Sequence, residues 1–155
     1  QPIAAENMAR YRPTEQPGVV LVGSHVQKTT QQLNQLLKEE QVRGIEIDVV
    51  ALRDREAETE SHRPEAKQAL LESIFATIEE VFAQGKTPVI YTSRAELSFD
   101  DIQQRLQFGV AVSALLMEVV QGLPPDLSFL ISKGGITSND VLSVGLNLTH
   151  ARLLG

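Results

Sequence analysis

The ten residues Ile131 to Asp140 (ISKGGITSND) place a lysine, two adjacent glycines, three hydroxyls and a carboxylate in one short loop. Phe129, Leu130 and Ile131 read as the end of a short buried strand, and Gly134-Gly135 lets the backbone turn through conformations closed to other residues. A helix is expected just after. Thr137 or Ser138 can serve as its N-cap, and with Thr137 in that role Asp140 completes a capping-box pattern. Strand, glycines and helix start together present unpaired backbone N–H groups and the positive end of a helix dipole at one point, which suits an anion and above all a phosphate. On this motif alone a plain tight turn between strand and helix stays open.

The elements that must position this loop show in the hydrophobic pattern. Residues 19–22 (VVLV) form a continuous aliphatic run, as in a strand buried on both faces, and stop at Gly23-Ser24. Val26, Thr30, Leu33, Leu36 and Leu37 then recur at helical spacing. Residues 45–52 (IEIDVVAL) predict a second strand, and residues 53–64 a polar loop. An amphipathic helix is predicted over 65–83, a third strand over 88–92, a helix capped by Ser98 and Asp101 that runs to about Gln121, and a fourth strand over 128–132. Strands alternating with helices predict a three-layer α/β domain, a mainly parallel sheet with helices on both faces. Ligands of such sheets bind outside the carboxyl ends of the strands. Those ends are predicted at residues 23–25, 52–54, 91–94 and 132–135, and three of the four carry small, hydroxyl or basic residues that suit phosphate oxygens.

Composition narrows the class. A chain of 155 residues with 42% hydrophobic and 22% charged residues is long enough for one domain with a real core. Cysteine is absent, which excludes disulfides and thiolate metal sites and accords with a cytoplasmic location. The net charge of −6, without a basic cluster, argues against a nucleic-acid surface. The apolar run 108–117 (FGVAVSALLM) is too short to span a bilayer, so no membrane role is expected, and it reads as the buried part of a core helix. His62 and His150 are isolated, and neither reads as a metal ligand. Residues 1–18 carry three prolines and no apolar periodicity, the pattern of a linker or docking arm, with the ordered domain expected over 19–155. The chain begins without methionine and residues 151–155 look like a strand just started, so a piece of a longer polypeptide is expected.

Three motifs carry a resemblance. Gly23-Ser24 with Thr29 and Gln32 resembles the Gly-Ser-x-Ser-x-x-Thr-x-x-Gln signature of the four-carbon acid sugar kinase family. Tyr91-Thr-Ser-Arg94 looks like a later strand end of that family, and Lys133-Gly-Gly-Ile-Thr-Ser138, with Asp140 and Gly145-Leu146 beyond, looks like its most distinctive motif. One position departs: Val26 stands where the family has its second serine, with His25 before it.

The resemblance implies the C-terminal, nucleotide-binding half of a two-domain kinase that phosphorylates threonate, erythronate or 3-oxo-tetronate with ATP. The N-terminal domain of the same polypeptide would hold the sugar acid and supply the general base, so the catalytic residue of this chain is left unknown. By carry-over, Ser24, Gly134, Gly135, Ile136 and Thr137 contact ATP. Magnesium is expected with ATP, held largely by phosphate oxygens and water. Lys133 is a candidate to neutralise phosphate charge or a solvated strand-end lysine, and Arg94 either helps at the rim or pairs with Glu96. His25 either bonds a phosphate or a partner domain, or faces solvent. A homo-oligomer is left open. The alternative is a non-catalytic module that senses a nucleotide or phosphometabolite, favoured by the lack of a motif carboxylate aimed at a hydroxyl. A dinucleotide-binding oxidoreductase is disfavoured, because the first strand is not followed by Gly-x-Gly-x-x-Gly.

Overall fold

A computed structural model describes residues 15–56, 63–95, 97–99 and 101–150; within its helices the side chains of Arg55, Glu56, Arg63 and Ile136 fall outside the description. Most of the expected linker and all of the segment 151–155 lie outside the described residues, as does His62.

Four strands are present among the described residues: β1 (Val19–Val22), β2 (Val42–Ile47), β3 (Thr87–Thr92) and β4 (Leu130–Lys133). They form one parallel sheet in the order β2-β3-β1-β4. Helix α1 (Gln27–Leu36) follows β1, α2 (Val49–Glu56) and α3 (Arg63–Ala83) follow β2, α4 (Ile102–Gln121) follows β3, and α5 (Gly135–Asp140) follows β4 and runs into a π-helical turn, Val141–Gly145. The α/β class is as expected, with every pairing parallel.

Strand alternation divides the core into two layers. Val20, Val22 and Val89 pack with Leu33 of α1 on one face. Val19, Leu21, Ile45, Ile47 and Ile90 pack on the other against Leu71, Ile74 and Ile78 of α3 and the buried run 115–117, 119 and 120 of α4. Central strand β1 contributes to both layers, which is why its four residues are all buried. Lys67 and Glu118 form an ion pair that joins α3 to α4 at the rim of the larger layer.

Several local expectations are corrected. Residues 49–52 are the start of α2 and not the end of a strand, because Asp48 Oδ1 accepts hydrogen bonds from the N–H groups of Val50 at 2.8 Å and Ala51 at 3.1 Å. That is an N-cap, so β2 ends at Ile47 and its carboxyl end is Asp48. Helix α4 starts after Asp101, with no cap bond from a side chain. Its first half is open: Ile102, Leu106 and Val110, four residues apart on one face, are 75%, 64% and 69% exposed. Of the apolar run, Leu115, Leu116 and Met117 are fully buried, and Phe108 and Val112 are partly buried against the core. Ile131 is also exposed, because β4 is an edge strand of the described sheet and α1 packs over β1 and β3.

Candidate functional site

β1 and β3 are neighbours, yet the chain leaves β1 toward the α1 face and leaves β3 toward the α4 face. This is a topological switch point, where loops diverge to opposite faces and open a crevice at the carboxyl ends. A cavity of about 940 Å³ lies there, between those ends and the first half of α4. Leu97, Phe99, Phe108, Val112 and Leu116 form its apolar wall; His25, Thr92, Arg94, Asp101, Arg105 and Thr137 are polar groups on it. The rings of Phe99 and Phe108 lie 5.4 Å apart, tilted by 39°.

The strand-end residues Thr92, Ser93 and Arg94 tie the rim together. Thr92 Oγ1 meets His25 Nε2 at 2.8 Å, and Arg94 Nη1 donates to the Ser24 carbonyl oxygen at 2.5 Å. The N–H of Ser93 donates to the Ile47 carbonyl at 2.8 Å, and its Oγ accepts from the Val49 N–H at 3.0 Å. β3 therefore holds the turns that follow β1 and β2 in fixed positions. An expected pairing of Arg94 with Glu96 falls outside the described residues.

The other side of the crevice is where the turns after β1 and β4 meet. β4 pairs with β1 through Val22 and Lys133, and the Gly23 N–H then donates to the Lys133 carbonyl at 3.3 Å. A methyl group on Gly23 would sit 2.3 Å from Thr137 Oγ1, and one on Gly134 would sit 3.0 Å from the Ser24 Cβ and 3.3 Å from its nitrogen. Glycine at both places lets the two turns approach backbone to backbone. Gly134 also has φ +126°, a conformation that side-chain-bearing residues rarely adopt. The Ser24 hydroxyl accepts from the Val26 N–H at 3.3 Å and shapes the turn into α1.

The start of α5 differs from the expected capping box. Gly134 is the N-cap and no side chain caps the helix, so neither Thr137 nor Ser138 has that role. The first helical bond of α5 runs from the Ser138 N–H to the Gly134 carbonyl at 2.8 Å. The N–H groups of Gly135, Ile136 and Thr137 precede it and have no acceptor within the helix. Ser138 Oγ instead contacts the carbonyl and the hydroxyl of Ser132 at 3.3 and 3.1 Å, and Asp140 Oδ2 accepts from Ser113 at 2.6 Å. These two contacts bind α5 to β4 and to α4.

Of the residues singled out in the sequence, Ser24, Gly134, Gly135 and Thr137 converge on this junction, and Thr137 reaches the large cavity. Ile136 is in α5, with a side chain outside the description. Lys133 is exposed; the alternation that turns Ser132 toward Ser138 sends the Lys133 side chain to the opposite face of β4. Among the described residues His150 bonds its neighbour Thr149, at 3.0 Å. The sequence marks Thr92 and Ser93 within the strand-end motif 91–94 without giving either a partner, and it does not single out Asp48, which reads there as part of a strand.

A family model described as the nucleotide-binding C-terminal domain matches residues 19–155. The chain belongs to that family. This nucleotide-binding domain is the one found in the four-carbon acid sugar kinases. No curated protein and no solved structure matches it. No described helix is long and apolar enough to cross a membrane.

Electrostatics in the domain centre on His25 and Arg94. Partial burial and then the Arg94 charge hold the His25 pKa below its ordinary value of 6.5. Neutral His25 is therefore favoured in the folded state, and the unfolded chain binds the proton more readily. The His25 contribution to stability is complete above about pH 6.5 and is lost as the pH falls toward the depressed folded value. His25→Gln is expected to flatten the loss of stability below pH 6.5, with no change near pH 8. Urea midpoints across that range measure it; equal slopes for wild type and variant reject the assignment.

Proposed function

We propose that this domain binds ATP and, with an N-terminal sugar-acid-binding domain of the same polypeptide, forms a kinase that phosphorylates a four-carbon sugar acid. The observation that carries the reading is the junction of the Gly23-Ser24 turn with Gly134, Gly135 and Thr137, in a domain of the nucleotide-binding family. The residues fit a phosphate: the N–H groups that open α5 have no acceptor within the helix, and the space beside Gly135 is open. In this reading the N–H groups of Gly135, Ile136 and Thr137 hold phosphate oxygens and the Ser24 and Thr137 hydroxyls add bonds from either side, while Lys133, on the opposite face of β4, adds charge only at long range. Magnesium bound to the nucleotide supplies charge neutralisation of the transferred group. Phosphoryl transfer chiefly demands such positioning and charge stabilisation. The general base is assigned to the other domain.

A second reading has one observation in its favour. Asp140, the carboxylate of the glycine-rich motif, is already bonded to Ser113 and belongs to the frame. A domain that senses a nucleotide or phosphometabolite without turnover would show the same arrangement. Assay of the parent polypeptide with ATP, magnesium and threonate, erythronate or 3-oxo-tetronate separates the two, since the sensing module gives no phosphorylated acid.

Thr137→Ala tests the site itself. Its hydroxyl caps nothing, so the ligand-free thermal midpoint should stay within the range of a surface change, about 0.5 kcal/mol. The rise in midpoint produced by saturating ADP, which binds only the folded state, should shrink. A wild-type chain whose midpoint does not respond to ADP would place the nucleotide elsewhere and sink the assignment.

A further inference from the structure

Arg94 leaves β3 at the switch point and, among the described residues, is anchored by one prong. Nη1 donates to the Ser24 carbonyl. Nε and Nη2 are shut off from solvent and have no hydrogen-bond acceptor among the described residues. Those two N–H groups lie on the same edge of the guanidinium and point in parallel, the arrangement that matches two oxygens of a phosphate or carboxylate. Leaving both buried and unmatched is costly, and the tie from β3 to the β1 turn is made by Nη1. Burial lowers the Arg94 pKa while the charges of Tyr91 and Glu46 raise it, so both groups lie near; neither bonds the guanidinium. Arg94 lines the cavity together with Arg105, His25 and Asp101, and cations outnumber carboxylates on that wall.

We infer that the unmatched edge of Arg94 is an oxyanion site in the switch-point crevice, built to take two oxygens of a ligand that reaches the cavity from the junction of the β1 and β4 turns. The oxyanion has two sources, the terminal phosphoryl group of a nucleoside triphosphate or the carboxylate of a small acid, and the first rests on the nucleotide reading above.

The test titrates the chain by calorimetry with ADP, with a non-hydrolysable ATP analogue and with threonate, for wild type, Arg94→Lys and Arg94→Ala. Lysine keeps the charge and one donor for the Ser24 carbonyl but has no fork, so it decides the matter if the alanine variant does not fold. Affinity for the ATP analogue falling about ten-fold or more, with ADP unchanged, supports a terminal-phosphoryl site. A comparable fall for threonate, with both nucleotides unchanged, supports a carboxylate site. Equal falls for ADP and the analogue overturn the inference, because Arg94 then only shapes the Ser24 turn. Unchanged affinities in both variants overturn it while the nucleotide reading stands, and a wild-type chain that binds none of the three overturns both.

Discussion

Gly134→Ala is expected to destabilise the domain by about 1–3 kcal/mol, whereas Gly135→Ala one position later should leave stability unchanged or raise it by about 0.4–1 kcal/mol. The contrast follows from geometry. Gly134 has φ +126°, and a Cβ there would press on Ser24 from 3.0 Å and on Thr137 Oγ1 from 3.2 Å. Gly135 is the first residue of α5, and a Cβ on it meets nothing within 4 Å. The backbone strain expected of this glycine pair therefore belongs to Gly134 alone. The open space beside Gly135 is where phosphate oxygens approach in the proposed function, so Gly135→Val should keep the fold and lose nucleotide affinity. Urea midpoints and ADP titrations of the three variants measure both effects. Equal stability of the two alanine variants would reject the strain argument, and full ADP affinity in Gly135→Val would reduce the loop to a turn.

Leu21→Ala should cost about 2–5 kcal/mol, a large part of the roughly 5–15 kcal/mol available to a domain of this size. Leu21 is fully buried in the central strand and packs in the larger core layer. Its truncation leaves a cavity that a sheet held on both sides cannot close. Leu106→Ala is the matched control. It removes the same atoms from the exposed stripe of α4 and should stay within about 0.5 kcal/mol. Thermal midpoints of the purified variants decide it: a loss for Leu106→Ala as large as for Leu21→Ala would mean that the α4 stripe is covered in solution.

Helix α2 shows where a one-dimensional pattern is ambiguous. Residues 45–52 read as one strand because an apolar run fits a buried strand and a buried helix equally well. The choice was made by Asp48, which caps the helix, and by Ser93 from β3, which accepts the Val49 N–H. Ser93 is 44 residues away from Val49 in the chain, beyond any local pattern. The same reason explains α4. Its apolar run reads as one buried segment, but only 115–117, 119 and 120 are fully buried; Phe108 and Val112 are partly buried against the core and line the cavity.

The alternation of four strands with α1, α3 and α4, the mainly parallel α/β class and the glycine-rich junction are legible in the sequence, because each is written in residues close together: the period of apolar positions, the run at 19–22, and Gly134-Gly135 at a strand end. The sequence also brought Ser24 and the residues 134–137 onto one short roll before any contact was visible. Only the tertiary structure decided that β1 lies between β3 and β4, and that order is what makes Gly23 touch Thr137 and Arg94 reach Ser24. Strand order depends on which sheet edge buries the most apolar surface and on how each crossover packs, sums over pairs distant in sequence. The unmatched edge of Arg94 is decided the same way: the arginine is legible in the sequence, but whether its donors find acceptors depends on every chain segment folded around it.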